Sequence, residues 1–363
     1  MEQEEKQEPL KVGIIGTGFG SVVQYPGFVE HPGFEPVAIA GRHHSKTATI
    51  AKRLGVAHHF TNWRELLEME ELDVVSICTP PHLHHEMTIE SLKAGKHILC
   101  EKPLSTNLAH AQEMQDHVEE SGLIAMVDLV FRYIPSRAYM VELIKNGYLG
   151  DIYQFDITVR NASRLNPRTR GYNWWSSLKQ GGGVLNALGA HYIDFLFQIF
   201  DKIDGVSGMT ATHIPKRLNK LTGRMKTVSA DDAFISLFDI GQDCLASMNI
   251  SSTTPFGRGP RIEVFGSEGT LVMLEDQTLI GGKIGEDDEL KHLEIPENLR
   301  LDLKTDPNHL LVPPFIKLLD EFQKSVKTGR SLHPNFEDGL KVQRVLDAIR
   351  QSTKQHKWVD LRD

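Results

Sequence analysis

The residues best able to do chemistry gather where short apolar runs stop. One run, His97 to Cys100, gives way to Glu101-Lys102-Pro103. A lysine amine held there can hydrogen-bond a hydroxyl or carbonyl oxygen, and partial burial would bring its pKa down toward a range useful for proton exchange. The proline restricts the backbone of the lysine before it. A second run, Asp73 to Cys78, gives way to Thr79-Pro80-Pro81-His82-Leu83-His84-His85. His191 follows Gly181-Gly182-Gly183 on a helical pattern. An isolated histidine on an apolar helix is more often a satisfied core residue, and the glycine turn before it is one reason to consider it an acid or base. Asp194 reads as a structural partner or substrate contact rather than a base.

The seventeen histidines, with groups at His43-His44, His58-His59 and His82/His84/His85, invite a metal. Adjacent histidines on a strand point to opposite faces, and no thiolate or helical H-x-x-x-H pair completes a ligand set, so no catalytic metal is expected.

Directly after the apolar run Lys11 to Ile15 comes Gly16-Thr17-Gly18-Phe19-Gly20-Ser21, which matches G-x-G-x-x-G except that Ser21 replaces the third glycine. The first glycine permits a tight turn, the second lets backbone approach a pyrophosphate, and the third position serves close packing of helix on strand, for which a small serine suffices. With a strand before it and a helix after it, the turn offers free N–H groups and a positive helix end to an anion. An NAD-preferring protein would carry Asp or Glu at the carboxyl end of the second strand. Glu35 lies at the opposite end, and the proper end reads Gly41-Arg42-His43-His44-Ser45-Lys46. Arg42, Ser45 and Lys46 suit an adenosine 2′-phosphate, with His43 beside them, so NADP(H) is the expected cofactor and NAD(H) the alternative.

Arg160, Arg164, Arg168 and Arg170 precede Tyr172-Asn173-Trp174-Trp175. Aromatic faces suit sugar rings and guanidinium groups suit carboxylates or phosphates, which makes Arg164, Trp174 and Trp175 candidates for substrate selection. A subunit contact or a solvated loop has the same composition.

These residues need a frame. The chain has 363 residues, enough for two domains. Forty Lys and Arg against 48 Asp and Glu give a net charge of −8, so nucleic acid is not an expected partner. At 40% apolar and 24% charged, the composition is that of a globular chain and not of a disordered or fibrous one. Cys78, Cys100 and Cys244 form no C-x-x-C pair, which fits a reducing compartment, and the acidic start of the chain lacks the pattern of a secretory signal. The most apolar long stretch, Val184 to Phe200, is broken by Asn186, His191, Asp194 and Gln198, so no membrane span is expected and the location is read as cytoplasmic.

Lys11–Ile15, Pro36–Ala40, Val56–Phe60, Asp73–Cys78, His97–Cys100 and Ile124–Val130 read as strands separated by helical patterns, with Asn62 and Glu65 as a capping pair. Cores such as Val74-Val75-Ser76-Ile77-Cys78 lack polar alternation, as strands covered on both faces do, which argues a doubly wound parallel sheet of the Rossmann type. Beyond about residue 130, Ile152–Arg160, Gly205–Ile214, Ala233–Ile240, Cys244–Thr254 and Arg261–Met273 read as mainly antiparallel strands, the last folded into a hairpin at Gly266-Ser267-Glu268-Gly269. One helical pattern runs from Leu185 to Ile199, and two more end the chain. The expected organisation is an α/β protein: an acidic tail over 1–9, a dinucleotide domain over 10–130, an α+β substrate domain over 131–310, and C-terminal helices over 311–363.

From about Leu10 to the end, the glycine turn, TPPHLHHE, ILCEKP, GGGVLNALGAHYID and PNFEDGLKVQRVLDAI resemble the glucose-fructose oxidoreductase, inositol dehydrogenase and rhizopine-catabolism family (Gfo/Idh/MocA). Glu-Lys-Pro in this position is its most specific mark. The resemblance implies NAD(P)-dependent oxidation or reduction of sugars, cyclitols and related alcohols. It also implies a C-terminal open sheet that makes homo-oligomer contacts in a dimer or tetramer. It makes Lys102 the catalytic lysine, Glu101, Thr79, Pro80 and His84 cofactor contacts, Arg132 a residue near the nicotinamide, and His191 the proton shuttle. The family often has an aspartate four residues before that histidine, where this chain has Ala187. That departure leaves open whether Lys102 or His191 carries the proton. It also keeps a second reading in view, a dinucleotide-binding sensor without turnover.

Overall fold

The computed structural model describes residues 8–241, 243–301 and 310–362. Most of the expected acidic tail, residues 1–7, lies outside them. The chain divides into two units, the first formed by Met1–Ser105, Ala109–Val130 and Asp302–Leu340, the second by Thr106–Leu108, Phe131–Leu301 and Lys341–Asp363, each taken over its described residues.

In the first unit, β1 (Leu10–Ile15), β2 (Phe34–Ala40), β3 (His58–Phe60), β4 (Val74–Ile77), β5 (His97–Glu101) and β6 (Ala125–Asp128) form one sheet in the order β3-β2-β1-β4-β5-β6. Every pairing is parallel. All four residues of β4 are buried, which accounts for its unbroken apolar run. Helices α1 (Tyr25–Glu30), α2 (His44–Leu54), α3 (Trp63–Leu67), α4 (His84–Lys93) and α5 (Leu108–Ser121) fill the connections. Asn62 caps α3, its side chain accepting the Arg64 N–H at 3.2 Å. This is the doubly wound order in which β1 and β4 diverge, and a ligand crevice forms beyond the carboxyl ends of such strands.

The second unit carries α6 (Pro135–Lys145), β7 (Ile152–Arg160), α7 (Ala190–Phe197), β8 (Gly205–Ala211), β9 (Lys216–Asn219), β10 (Arg224–Thr227), β11 (Ala233–Asp239), β12 (Leu245–Ser251), β13 (Gly259–Gly266), β14 (Gly269–Leu274), β15 (Thr278–Lys283), β16 (Lys291–His292) and β17 (Val359–Asp360). Nine of these strands form a sheet in the order β16-β15-β14-β13-β7-β12-β11-β8-β17, antiparallel except between β7 and β12. β9 and β10 pair apart as a small ribbon. One face of the nine-stranded sheet packs its apolar residues, among them Phe155, Ile157, Phe234, Phe238 and Met248, into a core with Ile193, Phe195 and Leu196 of α7. Two helices close the chain: α8 (Val312–Thr328) in the first unit, and α9 (Phe336–Gln355), which passes from the first unit into the second after Leu340. No described helix is long and apolar enough to cross a membrane.

Candidate active site

The first unit brings two of the chemically interesting segments to one edge of its sheet. Glu101 is the last residue of β5, and Lys102 follows it, partly buried, with a cis peptide to Pro103. His84 lies fully buried, Nε2 at 2.8 Å from the Thr79 carbonyl oxygen and Nδ1 at 3.1 Å from that of Pro103. Burial, only partly opposed by these carbonyls, lowers its pKa to about 4, so at neutral pH it is an uncharged ring between the ends of β4 and β5 that gives its single N–H to one of the two carbonyls. Its ring nitrogens face backbone, so His84 would serve a cofactor by fixing Thr79, Pro80 and Lys102. The Lys102 amine is pulled below its ordinary value by burial, against the opposing influence of Glu101, Asp128 and Cys78.

The glycine turn follows β1 at the same edge. Gly16 sits at φ +131°, and a Cβ there would collide with the Cys78 carbonyl oxygen, so only glycine makes this turn. Above Gly18 a Cβ would meet nothing within 4 Å, which leaves backbone that a pyrophosphate can approach. The helical run then opens with a π-helical turn at Gly20–Gln24 before α1. Ser21, buried, turns its hydroxyl inward to the carbonyls of Thr17 (3.0 Å) and Gly18 (3.1 Å), bracing the turn rather than facing a ligand. This cradle has room for a dinucleotide, and the backbone of Gly16, Gly18, Phe19 and Gly20 would be its phosphate seat. Arg42, His43, Ser45 and Lys46 stand exposed where β2 meets α2, and Arg42 Nε lies 3.4 Å from His43 Nε2. Glu35 is at the start of β2, the other end of the strand.

In the second unit, a π-helical turn at Leu185–Gly189 leads into α7 and carries the buried Ala187. Asp231, a residue the sequence reading passed over, accepts the Leu185 N–H at 2.7 Å with its carboxylate and the Val184 N–H at 3.1 Å with its carbonyl, fixing this entry. His191 is buried and stacks on Phe131 with ring centroids 3.8 Å apart and planes 8° from parallel. Arg137 also faces Phe131, at 4.6 Å, and is bound to Tyr192 Oη (2.8 Å) and Asp276 (2.7 Å). Asp194 is occupied: Arg132 Nε and Nη2 fork onto its carboxylate at 2.9 and 2.5 Å, and Gln198 adds a third donor at 3.3 Å. That favours the structural role for Asp194 and directs the Arg132 guanidinium at a carboxylate.

Arg164, Trp174 and Trp175 come together. The Arg164 guanidinium lies 4.8 Å over the Trp175 ring, and the two indoles are 6.0 Å apart. Burial, with the charges of Arg217 and Arg170, brings the Arg164 pKa down to about 10. The cation is thus desolvated among like charges and suited to an electron-rich oxygen.

Three residues of the lysine neighbourhood escaped the sequence reading. Gln24, Ser76 and Asp128 are wholly buried and lie in one hydrogen-bond chain with Glu101. The available signal was Asp128 itself, an acid ending the otherwise apolar run Ile124–Val127.

Comparisons agree with this architecture. Residues 10–129 match the model of the oxidoreductase family with an NAD-binding Rossmann fold (Gfo/Idh/MocA), and residues 141–361 match that family's C-terminal alpha/beta domain. An uncharacterized oxidoreductase of Synechocystis sp. is 29% identical, covering 99% of this chain and 98% of its own. Levoglucosan dehydrogenase of Pseudarthrobacter phenanthrenivorans is 26% identical over 97% and 98% of the two chains. A solved levoglucosan dehydrogenase in complex with NADH and levoglucosan superposes with a TM-score of 0.88 at 25% identity, over 98% of this chain and all of its own. With both halves of its length matched, the chain belongs to the Gfo/Idh/MocA oxidoreductase family.

Proposed function

We propose that the protein transfers hydride between a nicotinamide cofactor and a hydroxyl-bearing or keto carbon of a sugar, cyclitol or sugar derivative, with NADP(H) preferred. The observation that carries this reading is Lys102, a partly buried amine of lowered pKa at the same sheet edge as the glycine turn. A bound nicotinamide supplies the hydride acceptor or donor at its C4. In the oxidising direction the amine of Lys102 takes the substrate's O–H proton, while the carbinol C–H bond gives up its hydrogen with both electrons. In the reducing direction the ammonium returns that proton to the new alkoxide oxygen. Thr79, Pro80 and Glu101 border the cofactor, and Arg164, Trp174 and Trp175 select the substrate. Arg42, Ser45 and Lys46, with no acidic residue at that strand end, support the preference for a 2′-phosphate. The solved relative holds NADH, so the two cofactors need direct comparison.

Lys102→Met tests the assignment. Turnover on a panel of sugars, cyclitols and keto-sugars should fall about 10³-fold, with dinucleotide affinity nearly unchanged and wild type binding NADPH more tightly than NADH. Unchanged turnover rejects the role of Lys102, and tighter NADH binding rejects the cofactor preference. A wild type silent in single turnover across the panel would favour the sensor that Ala187 keeps in view.

The outward face of the nine-stranded sheet supports self-association. Met209, Ile235, Leu237 and Leu245 are each at least half exposed, and strand register puts them on one face. Sedimentation should show a homo-oligomer that Leu237→Lys weakens. The three described cysteines, free and buried, suit a reducing, cytoplasmic setting.

A further inference from the structure

Beneath Lys102 two acids meet. Glu101 and Asp128 end neighbouring parallel strands and are register partners, so their side chains leave the same face one strand apart. Asp128 has no exposed surface and Glu101 has 9%. Two ionised carboxylates so placed would repel each other where little water screens them.

The surrounding hydrogen bonds say where a proton belongs. Ser76 Oγ donates to Gln24 Oε1 at 2.6 Å, which turns the Gln24 NH₂ toward the acids. That group gives one hydrogen to Glu101 Oε1 and the other to Asp128 Oδ2, each at 3.1 Å. The remaining oxygen of Asp128, Oδ1, is buried without a hydrogen-bond partner among the described residues. A buried acceptor without a donor costs about 1–3 kcal/mol, more when charged. A proton on Glu101, directed at Asp128, would satisfy it.

We propose that Glu101 and Asp128 hold a single proton between them, with Glu101 the donor and Asp128 the bearer of the charge. Asp128 is thereby a positioning residue that sets the protonation range of the Lys102 amine. This rests on the reading of Lys102 as the amine that exchanges the substrate proton. The acidities agree in direction. Burial and the charge of Asp128 push Glu101 well above the usual carboxylate range, whereas Asp128 is raised by burial and drawn back by hydrogen bonds from Glu101 and Gln24. The other titratable groups facing this cluster are the thiols of Cys78, after β4, and Cys100, on β5, both pushed up by burial and so neutral. Gln24 and Ser76 carry no charge. Of the two acids in this cluster, Asp128 then carries the charge toward Lys102, although Glu101 is the acid whose ionisation would act on it more strongly.

Asp128→Asn removes the partner that keeps the proton on Glu101. Glu101 then ionises against Lys102, the charge moves to the acid with the stronger hold, and the amine titrates at higher pH. Alcohol oxidation needs the neutral amine, so the acidic limb of kcat against pH should move up by about one unit. A merely structural role would lower the rate at every pH and leave the limb in place, and that result would overturn the proposal. An equal upward shift in Glu101→Gln would overturn the placement of the charge on Asp128.

Infrared spectra of the resting protein give a readout that needs no turnover, and the wild-type band alone can overturn the shared proton. At neutral pH, wild type should show the C=O stretch of a protonated, buried carboxylic acid, and Asp128→Asn should lack it. Absence of that band from wild type overturns the shared proton. A band present together with full turnover in Lys102→Met removes the link to catalysis and the reading of Lys102, while the shared proton stands.

Discussion

The lysine and histidine neighbourhoods handle buried charge in different ways. Around Lys102, Glu101 and Asp128 are held by a neutral amide that a hydroxyl orients, and burial raises the pKa of both. Around His191 the acids are matched by guanidinium groups, Asp194 by Arg132 and Asp276 by Arg137. A fork of charge-assisted bonds fixes geometry and leaves little proton affinity to spare, whereas acids without a fixed cation stay within reach of a proton. The contrast separates a neighbourhood built to hold shape from one poised to titrate, and each side of it can be attacked.

The largest expected effect is on the histidine side. The side chain of Asp194 is 2% exposed and that of Arg132 13%, so Asp194→Ala takes the paired carboxylate from a largely buried cation. Removing one partner of such a pair costs about 3–5 kcal/mol. Denaturant unfolding should show a loss of that size. A loss below about 1 kcal/mol would mean that Asp194 is not a structural anchor, and the contrast would fail there.

The next effect sharpens the lysine side. His84 has a folded-state pKa of about 4 against an ordinary 6.5. Its native pKa is depressed, so between those values the unfolded chain binds a proton that the native state refuses. The stability it contributes is present above the unfolded pKa and is lost as pH falls toward 4. From about pH 7 to pH 5 the wild type should lose about 2 kcal/mol more than a His84→Gln variant. Comparing the two at each pH cancels the packing cost of the substitution. Parallel pH dependence would mean that burial does not hold the imidazole neutral against the pull of the Thr79 and Pro103 carbonyls.

Local pattern made much of this frame legible. The six strands of the first sheet fall within two residues of their expected bounds; for β1, β4, β5 and β6 the reason is that buried parallel strands are nearly uniform apolar runs with turn residues at their ends, whereas β3, His58–Phe60, is largely exposed. The Gly266–Gly269 hairpin and the Asn62 cap were readable from their turn and capping residues, whereas the pattern from Leu185 to Ile199 did not announce the π-helical turn that opens it. The ribbon of β9 and β10 was not: all four residues of β10 are exposed, so it has no apolar alternation to read. Nor was the chain from Ser76 through Gln24 to Glu101 and Asp128. It joins residues up to 104 positions apart, and only the strand register brings Asp128 beside Glu101. The motif marked Lys102, while the groups that tune it come from three other segments. Arg137 with Asp276 likewise depends on a turn where Glu275 and Asp276 adopt φ of 55° and 57°, a conformation that neither residue type announces.

The smallest effect decides between the two candidate proton carriers. His191 lies face to face with Phe131 on the π-turn-to-α7 segment whose position Asp231 fixes, and Ala187 supplies no carboxylate to support an imidazolium. Under the proposed function, such a ring would orient a substrate oxygen through one hydrogen bond and Lys102 would move the proton. His191→Asn retains a side chain of similar reach with hydrogen-bonding capacity and should lower kcat about tenfold, or about 1.4 kcal/mol in barrier. The acidic limb of the pH profile should stay where Lys102 sets it. A loss near the 10³-fold expected of Lys102→Met, together with disappearance of that limb, would give the proton to His191. The titrating neighbourhood would then be the one with matched charges, and the distinction between the two regions would be reversed.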